Sequence, residues 1–188
     1  MRTYRAYSLN AIWFLIAINV LVFITTSLRP DIIFFLGLTP AYFSHLPWTI
    51  VSNLFVHGSF WHILGNMISL YFLGSFLLRL MGKKKFLTLY FLGGIVGNIF
   101  YIFLAPAFST GIGASGAIFA LGGALAMMAP KLPVFMFFIP VPVPLWIAII
   151  IFLLISFIPG IAWQAHLGGL LLGLGAGYYY KKKIRVYF

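Results

Sequence analysis

The charged residues of this chain stand only at the borders of long apolar runs, and that distribution governs what it can fold into. The runs cover residues 9–28, 60–81, 86–105, 115–129, 144–157 and 162–180, each bounded by charge, proline or glycine. About 20 apolar residues let a helix cross a hydrocarbon core of about 30 Å, and several runs approach or exceed that length. Lipid offers the backbone no hydrogen-bond partner, so such runs must satisfy themselves as helices. With 63% hydrophobic and 7% charged residues, against about a quarter charged in soluble proteins, the chain reads as an all-α polytopic membrane protein. Six transmembrane helices in a single domain, residues 1–188, are expected.

The basic residues set the orientation, because cytoplasmic loops carry the excess of lysine and arginine. Six spans with both ends cytoplasmic put Arg2, Arg5, Arg79, Lys83, Lys84, Lys85, Lys131, Lys181, Lys182, Lys183 and Arg185 inside. Only Arg29, beside the single acidic residue Asp31, falls outside. The net charge of +11 is therefore a topology signal and not a nucleic-acid-binding face. The expected location is a prokaryotic cell membrane. Tyr178, Tyr179 and Tyr180 mark the inner boundary and Trp48, Trp61 and Trp163 the outer one, where amphipathic rings settle. Residues 29–59 are too long for a turn and contain Ile32, Ile33, Phe34 and Phe35 among the prolines Pro30, Pro40 and Pro47. A large first loop of short helices in the outer interface is expected there. Pro140, Pro142 and Pro144 forbid regular helix before the fifth span.

Within the runs, a few polar residues come to one depth. At helical rise, Ser115 lies about 24 Å from Lys131, His166 about 22 Å from Lys181 and Asn66 about 25 Å from Lys83. His62, four residues before Asn66, shares its helix face. Gly169, Gly173 and Gly177 repeat every four residues, a stripe that lets a neighbour pack closely, with Gly116, Gly122 and Gly123 as the expected opposing surface. A serine hydrolase normally orients its histidine with a buried carboxylate, and here Asp31 lies outside the runs. Ser115 would have to work with His166 alone.

Taken singly, Ser115 reads as a helix cap and Asn66 as interhelical glue. His166 is harder to dismiss, since ionisable groups inside a membrane are costly and usually functional. His57 reads as a structural residue that caps or bonds in the loop, and His45 as an exposed interfacial one. The four histidines lack the spacing of a zinc helix motif with a carboxylate, so no metal and no other cofactor is expected. The absence of cysteine removes disulfides, thiolate metal sites and a cysteine nucleophile together.

Several motifs in order resemble the rhomboid intramembrane serine proteases. His57 and His62-Ile63-Leu64-Gly65-Asn66 are similar to that family's second-span pattern, Gly113-Ala114-Ser115-Gly116 to its nucleophile motif, and Ala165-His166-Leu167-Gly168-Gly169 with Gly173 to its base motif. The resemblance covers nearly the whole chain and implies a six-helix rhomboid-like bundle. It implies peptide-bond hydrolysis by Ser115 and His166, with Asn66, His62 and backbone N–H groups near Ser115 meeting the oxyanion. Activity is then expected to fall at acidic pH as His166 takes up a proton. The implied substrates are single-span membrane proteins that enter sideways from the bilayer past the second and fifth spans, beneath a cap around residues 158–163. Two positions depart from the family pattern. Thr49 follows Trp48 where an arginine is frequent, and Phe119 stands where a tyrosine often stacks on the histidine. The rival readings are a non-catalytic relative that binds membrane proteins and a proton path or transporter. Retention of both Ser115 and His166 disfavours the first, and the absence of acidic residues in the spans and of inverted repeats disfavours the second.

Overall fold

The computed structural model describes residues 9–136 and 139–183. Arg2, Arg5 and Arg185, counted above toward orientation, lie outside those residues. Each apolar run becomes a helix: α1 (Asn10–Leu28), α4 (Phe60–Met81), α5 (Lys83–Leu104), α6 (Ser115–Met128), α7 (Leu145–Ile155) and α8 (Trp163–Lys181). Two short helices, α2 (Ile32–Leu36) and α3 (Thr49–Ser52), lie between α1 and α4 with 3₁₀ turns at Pro40–Tyr42 and Asn53–Phe55. Of these helices, α1, α4 and α5 are long and apolar enough to cross a membrane, while α6 and α7 are shorter apolar helices. The result is a multi-span helical membrane-protein bundle.

Local chemistry explains the helix ends. Ser59 caps α4 by accepting a hydrogen bond from the His62 N–H at 3.2 Å. Gly82, at φ 81°, reverses the chain in a single residue between α4 and α5, a conformation that favours glycine. The proline run before α7 forms an antiparallel hairpin of β1 (Pro133–Met136) and β2 (Ile139–Pro144), with Val134 opposite Val143. Prolines at alternate positions put the missing N–H groups on one edge of β2. A two-stranded hairpin leaves one edge unpaired, so it tolerates them there.

Helix α6 is the axis of the bundle, with twelve of its fourteen residues buried. Its short length is consistent with this, because protein and not lipid surrounds it. Helix α8 packs most extensively on α6, and α5 closes a three-helix core with both. The glycine stripe of α8 makes that approach possible. A Cβ on Gly169, Gly173 or Gly177 would run into the backbone carbonyl of Gly116, Ala120 or Ala124 respectively. The opposing surface is therefore Gly116, Ala120 and Ala124, a second stripe at four-residue spacing. Gly123 also abuts α8, at Leu170, but Gly122 faces Ile149 of α7. On α5, Gly97 meets the Ala165 carbonyl in the same manner.

This packing gives a matched test. Gly173→Val must push α8 off α6 and should destabilise the fold by about 1–3 kcal/mol, as overpacking does. Gly175, where an added Cβ would meet nothing within 4 Å, should accept alanine without loss. Melting temperatures of the two variants in detergent decide, and equal values would refute the stripe as the packing device.

Candidate active site

The segment between α5 and α6 is held by the first loop. Leu38 and Gly111 exchange backbone hydrogen bonds of 3.0 and 2.8 Å, and the Gly113 N–H donates to the Asn53 carbonyl at 2.9 Å. Asn53 and Asn98 of α5 bond reciprocally through their amides, at 3.0 and 2.7 Å, and Asn98 also donates to the Ile50 carbonyl at 2.7 Å. Buried amides of this kind are costly unless paired, so the loop has one well-satisfied seat. Gly113 sits at φ +119°, and a Cβ there would fall 2.7 Å from His62 Nε2 and 3.6 Å from Ser115 Oγ. The bare α-carbon thus lets the His62 ring and the Ser115 hydroxyl share one small space.

Ser115 opens α6, half-buried, at the end where the first backbone N–H groups lack intrahelical partners and carry partial positive charge. Its Oγ lies 2.7 Å from His166 Nε2. His166, in the first turn of α8, is 7% exposed, and Phe119 stacks on its ring at 4.5 Å between centroids and 21° between planes. The other ring nitrogen, Nδ1, lies 2.6 Å from Ser156 Oγ. Ser156 closes the C-terminal end of α7, is 2% exposed, and donates its hydroxyl hydrogen to the Phe152 carbonyl at 2.8 Å. Sequence reasoning missed Ser156. The available signal was a lone hydroxyl in an otherwise apolar run.

Asn66 is buried on α4 and donates one amide hydrogen to the His62 carbonyl at 2.8 Å, which leaves a second amide hydrogen of the two that asparagine carries. His57 packs edge-on against His62 with centroids 4.9 Å apart. The expectation that it bonds in the loop holds only toward the Phe55 backbone, which favours its proton; neither buried ring nitrogen makes a well-aligned hydrogen bond. Burial, reinforced by the nearby His62, pushes its imidazole down to about 3. His45 is exposed, with Ser44 at 3.1 Å from its Nδ1. Trp48 and Thr49 brace the first loop, donating to the carbonyls of Phe35 at 2.8 Å and Leu46 at 2.6 Å. Behind Ser115 a cavity of about 10 Å³, lined by Asn53, Asn98, Tyr101 and Gly111 among others, has room for roughly one water.

A hydroxyl within hydrogen-bond reach of an imidazole, at the start of a helix, is an arrangement that can support nucleophilic acyl chemistry. Residues 44–183 match the family model described as the Rhomboid domain. The chain is 30% identical over 155 residues to "Rhomboid protein 1, mitochondrial" of Saccharomyces cerevisiae, covering 72% of this chain and 42% of that one. It is 37% identical over 81 residues to "Putative rhomboid protease YdcA" of Bacillus subtilis, covering 43% and 41%. It is 32% identical over 149 residues to "Rhomboid-like protease 3" of Toxoplasma gondii, covering 77% and 56%. The chain thus spans from about two fifths to just over half the length of these relatives.

Gly113 and His57 each offer a test of this site. Gly113→Ala combines a strained φ, costing about 1–3 kcal/mol, with a clash against His62, so it should lower both melting temperature and any activity. Wild-type stability together with wild-type activity would contradict the shared space. For His57, the native site refuses a proton that the unfolded chain accepts near 6.5. Stability is intact above that pH and is lost as pH falls from about 6.5 toward about 3. His57→Phe should flatten this slope in melting temperature against pH, and an unchanged slope would show that His57 is not its source.

Proposed function

This chain belongs to the rhomboid family, and from that premise we propose that it is an intramembrane serine endopeptidase acting through Ser115 and His166. The observation that carries the reading is the 2.7 Å contact between Ser115 Oγ and His166 Nε2, made between two helices that bring no carboxylate. Its substrates are single-span membrane proteins in the bilayer, and its frame is the six-span form with both termini cytoplasmic in a cell membrane. Residues 158–163, with Gly160 at φ +91° in open space, form a cap over lateral access between α4 and α7.

The reaction divides into two halves. Ser115 Oγ attacks the scissile carbonyl carbon while its proton passes to His166 Nε2. The resulting oxyanion takes hydrogen bonds from the Ser115 N–H, the free amide hydrogen of Asn66 and His62. Collapse breaks the C–N bond, Nε2 returns the proton to the leaving amine, and an acyl-serine remains. Water then attacks that ester and gives a proton to Nε2; collapse breaks the ester C–O bond, Nε2 passes that proton to the leaving Ser115 Oγ, and the acid departs. Phe119 holds the ring by stacking, as tyrosine does elsewhere in the family, without a phenol hydroxyl.

Incubation of the purified protein with a panel of single-span membrane proteins, beside labelling by a serine-directed fluorophosphonate, tests the reading. Cleavage and labelling should both disappear in Ser115→Ala and in His166→Ala. Asn66→Ala should retain cleavage reduced by about 10²–10³-fold, the usual cost of one oxyanion donor. Labelling that survives Ser115→Ala, or none in the wild type, would reject the assignment.

A further inference from the structure

His166 raises a question that the pair with Ser115 does not answer. A neutral imidazole carries one proton on either of two nitrogens, and only the form with a bare Nε2 can accept from Ser115. In a soluble serine hydrolase a carboxylate at Nδ1 selects that form. No carboxylate is available here, because Asp31 pairs with Arg29 at 2.9 Å on the exposed surface.

We propose that Ser156 is a positioning residue that selects the tautomer of His166 by accepting its Nδ1 proton. A count of hydrogens leads there. A serine hydroxyl owns one hydrogen and two lone pairs. Its oxygen lies 2.8 Å from the Phe152 carbonyl and 2.6 Å from His166 Nδ1. The carbonyl has no hydrogen to give, so the hydrogen on that contact is the serine's own. Bonding back to the carbonyl four residues earlier is also the habitual contact of a helical serine. With its hydrogen so engaged, Ser156 Oγ can only accept from Nδ1. The proton is then on Nδ1, and Nε2 presents its lone pair to Ser115 Oγ at 2.7 Å. The reverse arrangement would aim two oxygen lone pairs at each other across the Ser156–Phe152 contact and put the imidazole proton on Nε2, where it blocks the base. Both histidine bonds are made at a residue almost removed from solvent, so water is a poor substitute for Ser156. The three parts come from three helices: α6 brings Ser115, α8 brings His166, and the end of α7 brings Ser156.

The consequence for activity rests on the proposed role of His166 as base, but the tautomer itself does not. The full chain, labelled with ¹⁵N-histidine and held in detergent micelles above the histidine titration range, is the sample. His166→Gln identifies the His166 resonances among the four histidines. Wild type should show a protonated Nδ1 and a bare Nε2, Ser156→Thr should keep that pattern, and Ser156→Ala should lose it. In parallel, kcat for a cleaved substrate, or the rate of fluorophosphonate labelling, should drop roughly three- to tenfold in Ser156→Ala, the scale of one neutral hydrogen bond. KM should stay unchanged, and Ser156→Thr should restore the rate. Protonated Nε2 in the wild type, or an unaltered tautomer in Ser156→Ala, would overturn the proposal. If Ser156→Ala fails to fold, the wild-type and Ser156→Thr spectra still decide. Absence of cleavage and labelling in a protein that keeps the Ser156-dependent tautomer would reject the protease reading and leave this one standing.

Discussion

The close approach of α8 to α6 underlies every other feature of this molecule. Two stripes of small residues at four-residue spacing, Gly169, Gly173 and Gly177 against Gly116, Ala120 and Ala124, let backbone meet backbone. Membrane helices gain little from the hydrophobic effect once both sides are apolar, so dispersion contacts of this kind must hold them together. The same stripes set the geometry of the candidate site. His166 stands three residues before Gly169, and Ser115 one residue before Gly116, so a serine and a histidine fifty-one positions apart are brought to 2.7 Å. A larger residue in either stripe would separate them before any local change was made at the site.

Polar groups here are few, and the structure satisfies most of them with neutral partners. Asn53 and Asn98 share reciprocal amide bonds, and His166 lies between two serine hydroxyls. A buried carboxylate at Nδ1 would carry a desolvation cost of several kcal/mol, whereas a hydroxyl costs far less to bury when its hydrogen is engaged. The near absence of acidic residues from the sequence is consistent with this solution. His57, beside His62, is among the exceptions, as are the Ser75 and Tyr90 hydroxyls, none of which has a well-aligned partner.

Periodicity, charge borders and helical rise made much of this legible in the sequence. The apolar runs ended within a few residues of the observed helices, and Phe60–Met81 matched at both ends. Rise per residue is nearly invariant, and Ser115 and His166, matched by it, meet at 2.7 Å. What sequence could not supply was orientation around each helix axis and contact across turns. Gly122 is next to Gly123, yet a rotation of one residue turns it toward α7 and away from α8. Ser156 looked like one more residue of an apolar run, and only the turn between α7 and α8 carries it under the imidazole. Asn98 gave no signal because its partner, Asn53, lies forty-five residues away in a short 3₁₀ turn of the first loop. The proline run was correctly barred from helix, but its pairing with residues 133–136 depends on a register that alternation alone does not fix.

Helix α7 differs from the rest of the bundle in how it meets its surroundings. Eleven residues rise only about 16 Å, far short of a hydrocarbon layer of about 30 Å. Unlike α6, it turns Trp146, Ile150, Phe152 and Leu154 outward instead of into protein. A helix so short and so exposed to acyl chains must answer to their length by tilting or by drawing the leaflets together. Because Ser156 rides on its last turn, the thickness of the surrounding bilayer becomes a mechanical input to the hydrogen bond at Nδ1. Lipid composition then reaches the Ser156–His166 contact without any lipid touching it.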